Sequence, residues 1–222
     1  MANFSPRRSG GPFGDFGGSS HGPILNLPQM TKALLIANVV IHLLRVLVPS
    51  EWDIRLLENL SFVPERYTDP EKFGWAAIAG PVTSMFLHLN WMHLVSNMIG
   101  LMLFGTLVER AIGPRRMLVL ALVTGLLGEV LFFVLHYGES VQSIGASGIV
   151  SGMFGAAARM LARRATGDSR QIWIYAAIWI GLALLPALSP GSVVAWEIHV
   201  GAFLAGLMLI DRFNPRPRFR VM

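Results

Sequence analysis

The chain has 222 residues, 53% of them hydrophobic and 14% charged, with a mean hydropathy of +0.55. Soluble chains carry roughly a quarter charged residues, so this composition argues against a single water-soluble core and for the bilayer as solvent. The absence of cysteine excludes disulfides, thiolate metal sites and a cysteine nucleophile, and the net charge of +5 falls beside apolar runs, where it reads as orientation signal and headgroup contact rather than a nucleic-acid groove.

Residues 1–29 are rich in Gly, Ser and Pro, with Arg7 and Arg8 as their main charges, and read as a disordered tail with too little apolar surface to fold. Six apolar runs follow, at roughly 31–48, 91–108, 117–136, 145–161, 171–188 and 193–211. Each approaches the ~20 residues that a helix needs to cross the hydrocarbon layer. The segment 49–88 mixes Trp52, Phe62, Tyr67, Phe73 and Trp75 with charges and prolines, as an interfacial element does. Arg45, near the end of the first run, reads as a residue snorkelling to the interface.

Charge alternates along these loops. Arg110, Arg115 and Arg116 lie after the second run, Arg159, Arg163, Arg164 and Arg170 after the fourth, and Arg212, Arg216, Arg218 and Arg220 after the sixth. The intervening loops are acidic or nearly uncharged. The positive-inside rule then predicts an all-α membrane protein of six spans with both termini cytoplasmic. Residues 30–211 form the membrane domain in this reading, and 212–222 a basic cytoplasmic tail.

Polar groups inside such helices cost free energy and need a partner or a function. Ser147, in Gly145-Ala146-Ser147-Gly148, opens the fourth run, and His199 lies about six residues into the sixth. Both are expected roughly 5–10 Å below the outer surface. Gly148, Gly152 and Gly155, facing Ala202 and Gly206, allow the two helices to approach closely. On the second run His93 and Asn97 are four residues apart and share a face, so both can donate to a developing oxyanion. His88 precedes that helix, and Asn90 is its expected N-cap. Taken singly, each of these has an ordinary structural reading, as a packing serine or a satisfied histidine; their convergence on one side of three helices is what points to chemistry.

These residues resemble the rhomboid family. His88-Leu-Asn-Trp-Met-His93-Leu-Val-Ser-Asn97 is similar to its HxxxxHxxxN pattern, Gly145-Ala-Ser147-Gly148 to its GxSG motif, and His199 with Gly206 to its sixth-helix histidine and spaced glycine. Glu109-Arg-Ala-Ile-Gly113-Pro-Arg115 is similar to its ExxxGxxR segment. Ala202 and Ser151 depart from the family, which often has glycine and sometimes tyrosine there. The resemblance implies a six-helix bundle that cleaves transmembrane segments of other membrane proteins. Ser147 would be the nucleophile and His199 the general base and acid. Asn97, His93 and the Ser147 backbone N–H would form the oxyanion hole, with His88 in support, and no cofactor or metal is called for.

Glu197 is the tempting third member of a triad, but residues two apart on a helix point about 200° apart, so a Ser–His dyad is expected. His88, Asn90, Ser96, Gln142 and Ser143 are candidates to line a hydrated cavity. Glu129, mid-way along the third run, has no role in this scheme. Two rivals stand beside this one: a non-catalytic relative that escorts membrane clients, and a small transporter using Glu129 and the histidines. A compact six-helix form is most simply housed in a bacterial inner membrane; the oligomeric state is left open.

Overall fold

A computed structural model describes residues 26–164, 170–184 and 195–214. Most of the glycine-rich tail, the end of the fifth run and the C-terminal tail beyond Asn214 lie outside the described residues. Among the described residues no strand forms; the elements are helices α1 (Gln29–Leu47), α2 (Ser50–Leu60), α3 (Trp75–Thr83), α4 (Trp91–Gly100), α5 (Thr106–Ile112), α6 (Pro114–Leu135), α7 (Ser147–Arg164), α8 (Arg170–Leu184) and α9 (Trp196–Phe213). A π-helical stretch, Leu101–Gly105, joins α4 to α5 into one apolar helix. Among the described residues three helices, Gln29–Leu47, Trp91–Ile112 and Pro114–Leu135, are long and apolar enough to cross a membrane.

Local chemistry sets the helix ends. Asn90 caps α4, its Oδ1 accepting the His93 N–H at 2.9 Å. Gly113, at φ 82°, turns the chain between α5 and α6, and Pro114 opens α6 where a missing N–H costs nothing. At the start of α1 the buried Glu109 carboxylate accepts from Met30 N (2.8 Å), Thr31 N (2.6 Å) and Thr31 Oγ1 (2.7 Å). These are first-turn N–H groups with no partner inside their own helix, and a carboxylate there also meets the positive end of the helix dipole.

The bundle is built around α7 and α9, whose backbones touch. A methyl at Gly155 would enter the Phe203 carbonyl, and one at Gly206 would enter the Gly152 carbonyl. On α6, Gly128 lies beneath the Ile198 carbonyl, where an added Cβ would sit at 2.7 Å. Residues Gly148–Ala158 are all buried, so α7 runs through the centre of the molecule with α4, α6 and α9 around it. Small side chains suit this place because the driving force inside lipid is close van der Waals contact, not burial of bulk.

Arginines tie the end of the bundle remote from Ser147. Arg159 and Arg163 of α7 both bind Asp211 of α9, Arg163 Nη1 donating at 2.5 Å, and Arg116 donates to the Phe213 carbonyl. At the Ser147 end the segment after α1 folds against the bundle. Phe62 packs into the core on Phe132, and Tyr67 meets Phe133, while Trp52, Phe73 and Trp75 stay exposed. The aromatic segment thus divides into a buried clamp and an outer rim.

Arg45 does not snorkel. It is 6% exposed, pairs its Nε and Nη2 with the Asp53 carboxylate (2.7 and 3.0 Å) and donates Nη1 to the His88 carbonyl at 2.7 Å. A planar guanidinium paired bidentately with a carboxylate and bonded to a carbonyl has its charge met inside the protein, so it stays there.

Leucine at Gly206 places a side chain in the α7 backbone, and overpacking of this kind costs about 3 kcal/mol. Thermal unfolding in detergent should show that loss for Gly206→Leu. Gly181→Leu, where an added Cβ meets nothing within 4 Å, should unfold like the unaltered protein.

Candidate active site

α7 begins at Ser147, two residues later than the apolar run, because Gly145 takes φ 126°, a conformation foreign to a helix of L-residues. Three other segments hold the loop that precedes it. Phe62 and Ser143 exchange two backbone bonds, Phe62 N to Ser143 O at 3.2 Å and Ser143 N to Phe62 O at 2.9 Å. Gly145 N donates to the Ser84 carbonyl at 2.9 Å. Ala146 N donates to His88 Nε2 at 3.4 Å.

The His93 ring lies directly on this loop. A Cβ at Gly145 would stand 2.7 Å from His93 Nε2 and 3.7 Å from Ser147 Oγ, so only glycine lets the ring and the serine meet across it. His93 in turn packs on His88, ring centroids 5.0 Å apart, and His88 on His42 at 6.5 Å. Asn97, buried at the next turn of α4, donates Nδ2 to the His93 carbonyl at 3.0 Å. A primary amide has two N–H donors, so one is still available. Asn90, Ser96 and Gln142 are exposed at this end, whereas His88 and Ser143 are buried.

His199 lies in the first turn of α9. Its neighbour Ile198 packs on the neighbour of Ser147: a Cβ on Gly148 would be 3.0 Å from Ile198 Cγ2. Among the described residues no hydrogen bond joins Ser147 to His199, and His199 Nδ1 is buried without a partner. Catalytic hydrogen bonds are often long in an unliganded site and tighten around substrate.

Glu197 points elsewhere. Its Oε1 accepts from His136 Nε2 at 3.1 Å, while His136 Nδ1 donates to Glu139 Oε2 at 2.7 Å. This links the end of α6 to the start of α9, a bond with no motif to announce it in the sequence. Ser84 is a second residue that sequence reading passed over, since its neighbours in space come from α6 and from the loop before α7.

A membrane-embedded helical protein thus presents a serine at a helix start, with the His93 ring on the glycine before it and the Ile198 side chain against the glycine after it. The Rhomboid domain model matches residues 77–214. The chain belongs to the rhomboid family. It is similar to RHOMBOID-like protein 5 of Arabidopsis thaliana, 33% identical over 62% of this chain and 45% of that one. It is also similar to Rhomboid-like protease 3 of Toxoplasma gondii, 29% identical over 60% and 51%. RHOMBOID-like protein 12, mitochondrial, of Arabidopsis thaliana is 46% identical over a shorter stretch, 25% of this chain and 16% of that one. The chain spans about half or less of the length of these relatives. Their names give no support to a bacterial inner membrane; what stands is an integral membrane protein.

A carboxylate on each ring nitrogen requires His136 to donate from both, which favours the imidazolium. The bond to Glu139, then that to Glu197, raises its pKa above the ordinary 6.5 despite partial desolvation. The raised folded value means that this brace stabilises fully below the ordinary pKa and is lost as pH rises through the folded one. Its exposure screens the effect. The melting temperature in detergent should therefore fall modestly from mildly acidic to alkaline buffer, and His136→Asn should remove that part of the slope.

Proposed function

We propose that the chain is an intramembrane serine endopeptidase that cleaves the transmembrane segment of another membrane protein. The observation that carries this reading is the glycine-shaped contact of His93, Gly145 and Ser147, with Ile198, the neighbour of His199, against Gly148. Membership of the rhomboid family and likeness to a protein named a protease support it. In this reading six helices cross the bilayer and both termini face the cytoplasm, since the arginines gather at the end remote from Ser147.

His199 takes the Ser147 hydroxyl proton as the oxygen attacks the scissile carbonyl. The oxyanion is met by the Ser147 backbone N–H, the free N–H of the Asn97 amide and the His93 ring. His199 then passes the proton to the leaving amine, and water hydrolyses the acyl-enzyme by the same steps reversed. His88 holds the loop through Ala146. Glu197 is already bonded to His136 and Oε2 finds no partner among the described residues, which supports a dyad over a triad. The exposed Asn90, Ser96 and Gln142 offer water a polar route to the serine. A substrate helix must unwind at the cleaved bond, because an intact helix keeps its carbonyls bonded internally.

The purified full chain in detergent should react with a fluorophosphonate probe. Ser147→Ala and His199→Ala should abolish labelling, on the order of a 10³-fold loss or more, while Glu197→Gln should stay within about threefold of the unaltered protein, roughly 0.7 kcal/mol. A loss in Glu197→Gln matching that of His199→Ala would overturn the dyad. A folded protein that never reacts would put the client-escorting reading in its place.

A further inference from the structure

Glu129 sits in the second half of α6, next to Gly128, and is 5% exposed. A carboxyl is an expensive filler at this depth, and an apolar side chain would serve packing better. Among the described residues its one side-chain hydrogen bond crosses to another segment: Ser84 Oγ donates to Glu129 Oε1 at 2.6 Å, with Ser84 itself 1% exposed. Ser84 opens the short 3₁₀ turn Ser84–Phe86, and its carbonyl is the acceptor for Gly145 N at 2.9 Å. A continuous chain of short bonds therefore runs from Glu129 of α6, through Ser84, to the first residue of the Gly145–Gly148 motif.

At Gly145 itself little else fixes the backbone. Gly145 has no side chain and its φ of 126° is not self-stabilising. The Ala146 bond to His88 is long at 3.4 Å, and the Ser143 bridge lies two residues upstream. The Gly145–Ser84 bond, at 2.9 Å, is the shortest tether to the motif from outside α7, and its acceptor can be no better fixed than Ser84 is. An oxyanion donor must stand about 2.7–3.1 Å from where charge develops, and a misplacement near 1 Å costs about 10²-fold in rate.

We propose that Glu129 is a positioning residue: through Ser84 it fixes the backbone of the Gly145–Ser147 loop and so aims the Ser147 N–H and hydroxyl. The inference rests on the serine-peptidase reading for its catalytic consequence, but its structural core, that Glu129 and Ser84 hold the loop, is independent of it. The helix that contacts the Ile198 carbonyl, one residue before His199, thereby also sets the loop that carries the serine. Both halves of the site are referenced to the same two residues of α6.

The test uses the full chain in detergent with Ser84→Ala, Glu129→Leu, Glu129→Gln and the Ser84→Ala/Glu129→Leu double variant. Two quantities are read: the rate of fluorophosphonate labelling, and amide hydrogen exchange over residues 143–147. Ser84→Ala and Glu129→Leu should each slow labelling about 10- to 100-fold and speed exchange in the loop. The double variant should be no worse than the poorer single one, because both break the same chain. Glu129→Gln keeps an acceptor oxygen in place and should restore both readouts to within about threefold. Unchanged loop exchange in Ser84→Ala, or losses that add in the double variant, would overturn the proposal. If the unaltered protein does not label, the peptidase reading fails by itself, and the exchange measurement alone still upholds or overturns the loop-fixing role.

Discussion

Two helices whose backbones touch set the dimensions of this molecule. Where Gly155 of α7 meets the Phe203 carbonyl and Gly206 of α9 meets that of Gly152, no side chain separates the two main chains. The distance between α7 and α9 is then fixed by backbone van der Waals radii, the least compressible spacing that helices offer. Ser147 opens one of these helices and His199 lies in the first turn of the other. A serine and a histidine on separate helices keep a reproducible spacing only if the helices cannot slide or breathe, and backbone contact supplies that condition. α6 closes the arrangement from the third side, its Gly128 against the Ile198 carbonyl.

Around that rigid pair the loop before Ser147 is held by backbone hydrogen bonds drawn from the segment between α1 and α4. Phe62, Ser84 and His88 each take or give a bond to residues 143–146. The aromatic clamp of Phe62 on Phe132, and the burial of Arg45 between Asp53 and the His88 carbonyl, fasten the same segment to α6 and α1. What looks from the sequence like a long interfacial linker acts as the outer wall of the site.

Much of this was legible in the residues. Apolar run length located α1, α4–α5, α6, α7 and α9 to within a few positions, the Asn90 cap was readable from its place before an apolar run, and the small residues of α7 and α9 announced a close crossing. Long-range polar partners were not legible. Arg45 stands at the end of an apolar run, where snorkelling is the usual outcome; its partner Asp53 lies in the next helix and the His88 carbonyl carries no sequence signal at all. Glu129 was conspicuous as a buried carboxyl, yet Ser84 lies 45 residues away in a segment without helical periodicity. The late start of α7 escaped because apolarity marks what prefers lipid, and Gly145 leaves the helix for a reason of backbone shape. The motif residues around Ser147 were readable as a group; the bonds that arrange them were not.

The first helix is fastened by ions at both ends: Glu109 grips Met30 and Thr31, and Arg45 grips Asp53 and the His88 carbonyl. Thr31 and Arg45 stand fourteen residues apart, about 21 Å and nearly four full turns along the axis, so both grips face the same side. This makes α1 a gauge of fixed length. A residue inserted between them would turn one grip about 100° away from its partner, and a thicker or thinner bilayer would have to deform its lipids at this helix, since α1 cannot lengthen, shorten or roll to follow it.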